Sequence, residues 1–510
     1  MKQRICIGIL SGNPGIEKML NSIGAAWERC GNVKENWRDN FSAIICDKYV
    51  ASDMNQLENY TKSGGAVLDL CDVMNQYSIR KKRVTQITVK HDNKFMGDLG
   101  NIDIYAEVLK HPKAFTAEKT IWVNSDEIYP YIFCGLPLGN LYMDTGTVQK
   151  EFFVNSDEVA SEHVSRVSKQ KLVHLFMRLL LQLHEMQNIP FVHKWWHPEN
   201  SDTVCLFRID SDFATRSEVK NLTRFLHNES IPNSWFIHVE AHENWLDQFH
   251  NIENCEIAVH GYQHKVYNTS QQNKRNIREA VKRLTSAGFS PSGYASPYGI
   301  WNKTVADSLQ DFHFRYTSEF SFAYNSLPLF TSENSLQLPV HPICMASLQK
   351  AGANETEMAC YFSEFAKTQH YFHDPIALYH HPSDNHLDVW KNVFDKIKEN
   401  TNIRFMTFLE WALWWHKRES AALHIFYSGS ENVLSMRLTG NDDSINLAVH
   451  THSNKFLITR PVKLSLNEKE FMPFYSESYR SERITNLTKK DKVNKMKLLK
   501  SEFFSKLWRL

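Results

Sequence analysis

Two stretches decide how this chain is interpreted: Phe207-Arg208-Ile209-Asp210-Ser211-Asp212 and, further along, His260-Gly261-Tyr262-Gln263-His264. The first is an apolar strand that ends on two carboxylates, and the second places two imidazoles four residues apart. On a helix, residues i and i+4 share a face, so both rings could reach one point. Two neutral imidazoles and one carboxylate leave positions open on a divalent metal, as in catalytic centres. The pattern therefore predicts metal-assisted hydrolysis.

Each of the two pairs also has a simpler explanation. Asp210 and Asp212 follow the predicted strand Val204 to Ile209, and because strand side chains alternate, both are expected on one side. Ser211, Asp212 and Thr215 could instead cap the next helix, and a histidine pair is often incidental in a chain with 24 histidines. The metal site is favoured because both pairs come just after apolar strands, whose ends converge on one face of a β/α barrel.

Two later stretches fit the same end of the predicted barrel. Gly293 to Trp301 contains the turn Ser296-Pro297-Tyr298-Gly299, whose backbone N–H groups are predicted to face a developing oxyanion. A plain turn is the alternative. Pro375 to Pro382 is a predicted strand that ends in His380 and His381. One of these histidines is predicted to be a general acid, and the other a structural histidine.

Together these motifs make residues 203–418 similar to the polysaccharide deacetylases, carbohydrate esterases with a nodulation-deacetylase homology domain. The resemblance implies a distorted (β/α) barrel with a divalent metal, usually zinc, that removes N- or O-acyl groups from sugars. It also implies that Asp212, His260 and His264 hold the metal and that Asp210 is the catalytic base.

The same resemblance assigns the remaining roles in the reaction. The Tyr298 backbone N–H stabilises the oxyanion, and His381 or His380 protonates the leaving group. Strand alternation favours His380, whereas the His-Pro ending of many relatives favours His381. The residues predicted to contact the substrate are Ser296, Pro297 and Trp301.

One motif departs from the family pattern. The family has an arginine in Arg-x-Pro-Tyr-Gly that braces the catalytic base, and this chain has Ala295 there. Arg208 is the predicted substitute. Because of this departure, a carbohydrate-binding pseudoenzyme is one alternative prediction. A hydrolase of small cyclic amides on the same barrel is the other alternative. The favoured prediction is a metal-dependent deacetylase of surface-glycan biosynthesis, with Zn²⁺ as cofactor and an acylated sugar or lipid-linked saccharide as substrate.

The segments around the barrel are predicted to be separate domains. Alternating strands and helices predict a Rossmann-like α/β domain over residues 1–150, which resembles the class I amidotransferase-like fold through its helix–Gly64-Gly65–strand step. This domain is predicted to be non-catalytic, with a cryptic Cys134 amidase as the alternative. Residues 151–202 are predicted to be a helical linker, and residues 419–478 a small β-sandwich or sheet.

Residues 479–510 are predicted to be a basic amphipathic tail. From Lys489 to Leu510 the sequence has eight cationic side chains and an apolar stripe with terminal aromatics. Such a helix suits an anionic membrane surface, and docking on its own protein or a disordered tail is as well supported.

The composition of the chain limits the number of domains, the partners and the compartment that we expect. A length of 510 residues predicts roughly three domains. The net charge of +1 predicts no nucleic-acid partner. The apolar start of the chain is not followed by a small-residue cleavage site, and nine scattered cysteines without a CxxC pair favour reduced thiols. A cytoplasmic protein is predicted, with peripheral contact at the inner face of the membrane left open.

Overall fold

The computed structural model describes residues 2–474, apart from residues 11, 34–35, 74–78, 90–95, 97–98, 117, 125–128, 156–157, 441–443 and 452–454. The predicted basic tail lies outside the described residues. The chain divides into two compact units. The first contains the chain up to Asp144, Val167–Asn200 and the chain from Lys417 to residue 474, and the second contains Thr145–Arg166 and Ser201–His416.

The first unit begins with a mainly parallel sheet of six strands, in the order β3 (Trp27–Arg29), β2 (Ile7–Ile9), β4 (Ala43–Cys46), β5 (Ala66–Asp69), β9 (Tyr131–Cys134) and β8 (Ile121–Asn124). Only the β8–β9 pair is antiparallel. Its central strands β4 and β5 are buried at every residue, as expected for parallel strands covered on both faces. The elements up to Asp144 are β1 (Lys2–Arg4), β2 (Ile7–Ile9), α1 (Pro14–Ile23), β3 (Trp27–Arg29), α2 (Trp37–Asn40), β4 (Ala43–Cys46), α3 (Met54–Lys62), β5 (Ala66–Asp69), β6 (Arg80–Thr88), β7 (Asn101–Lys110), β8 (Ile121–Asn124), β9 (Tyr131–Cys134) and α4 (Leu138–Tyr142). Residues 1–150 are thus mixed α/β, while the Rossmann-like and amidotransferase-like resemblances stay predictions.

Cys134, the alternative nucleophile of this region, is the last residue of β9 and is fully buried. Burial raises the pKa of its thiol to about 12. Since the thiolate is the reactive form of cysteine, the structure gives no support to a Cys134 amidase.

The predicted helical linker is only partly helical. Its elements are β10 (Thr147–Phe153), β11 (Val159–Ser165), α5 (Lys169–Met186) and β12 (Phe191–Lys194). β10 and β11 form an antiparallel hairpin, so the prediction of a helix was wrong there and right for α5. Residues 147–153 pair one to one with residues 159–165 in this ladder, so the backbone here is extended and cannot be helical.

The second unit is built on the alternation of strands and helices from β13 onward. Its main elements are β13 (Thr203–Asp210), α6 (Arg216–Asn228), β14 (Asn233–Ile237), α7 (Val239–His242), β15 (Cys255–Val259), α8 (Ser270–Ser286), β16 (Gly293–Tyr294), α9 (Lys303–Leu309), β17 (Tyr316–Thr317), β18 (Leu329–Phe330), β19 (Leu336–Gln337), α10 (Met345–Lys350), α11 (Glu355–Tyr371), β20 (Ile376–His380), α12 (Leu387–Lys398), β21 (Ile403–Met406) and α13 (Phe408–Ser420). Helix starts are clear in sequence, since Thr215 and Asn354 each form a capping box with the glutamate three residues on.

These strands form one sheet of order β18-β19-β17-β16-β15-β14-β13-β20, and β21 also pairs with β13. Every pair is parallel except β18–β19. The predicted distorted barrel is therefore an open sheet, because within the described residues no ladder joins β18 to β20.

The register of this sheet brings the carboxyl ends of four strands into line. Asp210 pairs with Phe236 of β14, Ile237 pairs with Val259 of β15, and Ile209 pairs with His380 of β20. The residues that follow each strand therefore meet at one edge of the sheet, as the sequence predicts.

The last strands are β22 (Leu423–Ser428), β23 (Val433–Leu438), β24 (Leu447–Thr451), β25 (Lys455–Thr459), β26 (Lys463–Ser465) and β27 (Met472–Pro473). They form two four-stranded sheets, of order β1-β22-β23-β26 and β12-β24-β25-β27. The predicted sheet region at 419–478 is present, but it shares β1 and β12 with earlier parts of the first unit. In the part of the chain that is described, no helix combines the length and apolarity needed to cross a bilayer.

A buried carboxyl group ties β14, β15, β17 and α13 together in the second unit. Glu256 accepts hydrogen bonds from Ser234 Oγ at 2.8 Å, Tyr316 OH at 2.7 Å and the Leu409 N–H at 2.9 Å. Burial outweighs these donors and raises the pKa of Glu256 to about 7. The group is therefore protonated in the folded protein at pH values where an unfolded chain has lost the proton.

We predict that this group makes the protein less stable as the pH rises. The folded state binds the Glu256 proton more tightly than the unfolded chain, so the free energy of unfolding falls between the ordinary glutamate pKa and about 7. The loss amounts to about 3 kcal/mol at most. Glu256→Gln should flatten the fall in melting temperature between about pH 5 and about pH 8, and the exposed control Glu253→Gln should not. Parallel profiles for wild type and Glu256→Gln would contradict the prediction.

Candidate metal centre

Three predicted metal ligands converge at the carboxyl edge of the second unit's sheet. Asp212 Oδ1 lies 3.3 Å from His260 Nε2 and 3.2 Å from His264 Nε2. One potential ligand atom from each residue lies within 4.8 Å of the others. The structure thus brings together the three side chains that the sequence predicted as ligands.

The local backbone at these residues differs from the prediction. Asp212 lies beyond the end of β13 with φ of +38°, so a turn rather than strand alternation directs its carboxylate. His260 to His264 form an irregular loop instead of a helix, and Gly261 has φ of +94°. A side chain at Gly261 would be strained by this φ, and its Cβ would lie 2.9 Å from the Gln263 carbonyl oxygen. The turn at Gly261 lets both imidazoles reach Asp212.

The orientation of His260 is fixed by a backbone contact. His260 Nδ1 lies 2.8 Å from the Ala295 carbonyl oxygen, which can only accept a hydrogen bond. Nδ1–H therefore donates this bond, and Nε2 is the ring nitrogen directed at Asp212. A metal-ligating histidine usually has such a partner on its other nitrogen, which fixes its tautomer.

A divalent metal fits this arrangement. Asp212 Oδ1 is buried and, among the described residues, has no hydrogen-bond donor. An orphaned carboxylate oxygen next to two imidazole nitrogens is costly unless a cation or water satisfies it. Asp212, His260 and His264 would hold the metal and leave its remaining positions open for water and substrate.

Asp210 is held by a buried arginine on its own strand. Arg208 donates from Nε to Asp210 Oδ1 at 2.6 Å and from Nη2 to Oδ2 at 2.7 Å, and from Nη1 to the Ser318 carbonyl at 2.6 Å. Burial would raise the pKa of Asp210, but Arg208, assisted by His260, holds the pKa below its usual range. Asp210 is therefore ionised at neutral pH, and Arg208 occupies the bracing role for which it was the predicted substitute.

The two candidate acids, at the end of β20 and just after it, have different environments. His381 Nε2 lies 3.7 Å from Asp212 Oδ2, and its Nδ1 lies 3.0 Å from Asp384 Oδ2. Burial would lower the pKa of His381, but Asp384, with Cys344, raises the pKa well above the ordinary value. His381 is therefore the protonated group beside the centre.

His380 instead points into the apolar core. Its ring packs against Phe207 and Trp390, and neither ring nitrogen has a hydrogen-bond partner in the described chain. Burial lowers the pKa of His380 to about 3. Of these two histidines, His381 therefore borders the candidate centre and His380 faces the core.

The predicted substrate-binding residues of the Pro-Tyr-Gly turn are buried. Ser296 and Pro297 lie inside the turn, where Ser296 Oγ bonds to the Ile300 carbonyl, and Trp301 is only 4% exposed. These three side chains shape the loop and offer a substrate almost no surface. Tyr298 lies outward with φ of +60°, and within the described residues its N–H has no acceptor.

Two exposed aromatic rings stand beside His264. Tyr298 is 63% exposed, with its ring 4.8 Å from the imidazole, and Phe213 is 72% exposed, with its ring 5.7 Å away. Phe213 also packs against His238, whose Nδ1 lies 2.8 Å from the Asp212 carbonyl oxygen.

Sequence reasoning missed Phe213, His238 and Asp384. His238 follows the apolar strand β14, as His260 follows β15, so the strand-end pattern that identified one histidine could have identified the other. Asp384 is three residues beyond His381 in a Pro-Ser-Asp turn. Its proximity to the ring could have been suspected from that spacing.

Comparison with protein families gives one match. Residues 206–317 match the family model described as polysaccharide deacetylase. The matched stretch includes Arg208, the three candidate ligands and Tyr298, and it ends before His381. This part of the chain is therefore similar to the polysaccharide deacetylase family. No curated protein matches the chain.

Several solved structures resemble less than half of the chain. A "probable polysaccharide deacetylase" from Pseudomonas aeruginosa PAO1 and Puue allantoinase each show 14% identity and a TM-score of 0.38, covering 43% of this chain and 92% of theirs. A protein from Bacillus anthracis that is described as a CE4 family pseudoenzyme shows 12% identity and a TM-score of 0.32. The similarity covers 42% of this chain and 66% of that chain.

We predict about one tightly held divalent metal per chain after dialysis, because three convergent ligands suffice for a catalytic centre. His264→Ala should lose most of this metal in elemental analysis, whereas His227→Ala, at an exposed site on α6, should retain it. Wild-type metal content in His264→Ala would refute the ligand assignment.

Proposed function

We propose that this chain is a metal-dependent deacetylase that hydrolyses an acyl group, expected to be acetyl, from a sugar. One observation carries the proposal. Three metal-ligating side chains lie beside an ionised carboxylate and a protonated imidazole, at one edge of one sheet. A base and an acid whose environments drive their pKa values apart are what acyl transfer to water requires.

In the proposed reaction Asp210 accepts a proton from the attacking water. Arg208 keeps this carboxylate ionised and fixes its orientation through two hydrogen bonds. The Tyr298 N–H donates to the oxygen of the tetrahedral intermediate. His381, oriented by Asp384, then protonates the departing amine or alkoxide. A divalent metal bound by Asp212, His260 and His264 would supply Lewis-acid polarisation of the acyl carbonyl.

Two exposed rings support a sugar as the substrate. Phe213 and Tyr298 leave most of their ring surface in solvent beside His264. Apolar surface that is exposed next to polar groups is typical of ligand-binding sites when several side chains share it. The apolar C–H face of a pyranose suits such rings while its hydroxyl and acylamino groups remain available to the polar site.

The pseudoenzyme alternative rested on Ala295, and the structure supplies the missing guanidinium from Arg208. The two buried hydrogen bonds to Asp210 replace the bracing that an arginine at position 295 would give. This observation favours an active enzyme.

The direct test is acetate release from a panel of acetylated monosaccharides, nucleotide sugars and lipid-linked sugars, with the metal-loaded and the chelator-treated protein. Release that needs the metal supports the proposal. Ring opening of a small cyclic amide without acetate release would support the alternative hydrolase. Full metal loading without turnover on any substrate would support the pseudoenzyme.

We predict that Asp210→Asn keeps the metal and the fold but lowers turnover by roughly a hundredfold or more, the usual contribution of a general base. Metal content and melting temperature show whether the variant is folded. Turnover equal to wild type would move the base to another residue.

His380, the last residue of β20, and His381, which follows it, allow a comparison of two matched variants. His381→Ala should lose turnover while the melting temperature changes little, because the side chain borders the centre. His380→Ala should lower the melting temperature, because it leaves a cavity between Phe207 and Trp390. Equal loss of turnover per folded protein in both variants would reject this assignment.

We also propose a cytoplasmic role in surface-glycan biosynthesis, with reversible membrane contact through Lys489 to Leu510. Basic residues near an anionic surface contribute ~1 kcal/mol each before screening. Deleting this segment should abolish sedimentation with anionic vesicles and leave activity on a soluble substrate intact. Equal sedimentation with and without the segment, at low and at high salt, would leave docking or disorder as the explanation.

A further inference from the structure

A second group of metal-ligating side chains lies beside His381. Cys344 Sγ, a ring nitrogen of His381 and a carboxylate oxygen of Asp384 all lie within 4.8 Å of one another. His381 Nδ1 and Asp384 Oδ2 are 3.0 Å apart. This cluster shares no ligand with the Asp212, His260 and His264 centre and contains the only sulfur of the two sets.

The cluster is held in place by the chain around it. Cys344 precedes α10, and the segment before it is fixed to β20 by the bond from Tyr379 OH to the Pro342 carbonyl, at 3.1 Å. Asp384 also accepts a hydrogen bond from the Ala346 N–H. The thiol and the carboxylate therefore approach His381 from two anchored turns.

We propose that Cys344, His381 and Asp384 form a second binding site for Zn²⁺ or a similar thiophilic divalent cation. A thiolate, an imidazole and a carboxylate are zinc ligands, and thiolate favours zinc over magnesium or calcium. Ser347 Oγ, 3.4 Å from Cys344 Sγ, is an additional oxygen at the site. Binding releases the thiol proton of Cys344 and the Nδ1 proton of His381 to solvent.

Occupation of this site should inhibit the enzyme. The cation takes the place of the hydrogen between His381 Nδ1 and Asp384 Oδ2, so the ring is held as a metal ligand and loses the partner that orients it beside Asp212. The inhibitory effect rests on the proposed function, in which His381 protonates the leaving group. The binding of the cation to Cys344, His381 and Asp384 does not depend on the proposed function. Since a hydrogen bond must be broken and a buried thiol ionised, the site should load only after the first centre is full.

Cobalt titration of the reduced, metal-free, full-length protein tests the binding. The first centre has only nitrogen and oxygen ligands, so thiolate-to-cobalt charge-transfer absorption in the near ultraviolet reports the second site alone. We expect this absorption to appear with the second equivalent of Co²⁺. It should be absent in Cys344→Ser, which still binds the first equivalent, and unchanged in Cys360→Ser, where an exposed thiol is removed.

The outcomes separate this proposal from the proposed function. The charge-transfer absorption at full strength in Cys344→Ser, or its absence from the saturated wild type, overturns the second site whatever the activity. Excess Zn²⁺ should lower acetate release by tenfold or more in the wild type and less than twofold in Cys344→Ser. Equal inhibition of the two proteins overturns the inhibitory role, even if the absorption is present.

Discussion

Parallel pairing of β13 with β14 and β20, continued from β14 to β15, brings together the strand ends from which the candidate centre is built. Asp210, Val259 and His380 are strand-terminal or nearly so, and the pairing register aligns them at one edge. A slip of one residue in any pair would turn a strand's side chains to the opposite face. A slip of β13 would also break the buried bond from Arg208 Nη1 to the Ser318 carbonyl, which helps to fix the register.

Within this frame, the buried pair of Arg208 and Asp210 determines the chemistry. Removing one partner of such a pair costs about 3–5 kcal/mol because the other charge is left buried and unpaired. The same pairing that keeps Asp210 ionised also lowers its proton affinity. Arg208 thus makes Asp210 a weaker base but keeps its carboxylate ionised and oriented. The stacking of the guanidinium on Phe236, 4.9 Å from its ring centre, further limits movement of the pair.

Strand-end residues such as Asp210 and His260 could be predicted because apolar runs and their ends are local features of sequence. The directions of Asp212 and His264 could not be derived in this way, since positive φ angles at Asp212 and Gly261 set them. Local sequence patterns also could not predict contacts between residues far apart in the chain. Cys344 lies near His381 because the segment before Cys344 is bonded to β20. The prediction of a helix was wrong over β11 because the apolar spacing of α5 continues backwards through Val167 and Val164 in the sequence. The sequence could not distinguish His380 from His381 as the candidate general acid, because it does not show which of the two rings faces the core.

The bond from His260 Nδ1 to the Ala295 carbonyl is made by the main chain, and the guanidinium that braces Asp210 comes from β13. Neither contact depends on which side chain stands at position 295. A lineage could therefore move its arginine between the loop and the strand without passing through an unbraced base, provided both were present for a time. Motif searches that demand arginine in the loop would overlook chains of this kind. A search for a guanidinium two residues before the base aspartate, on the same strand face, would retrieve them.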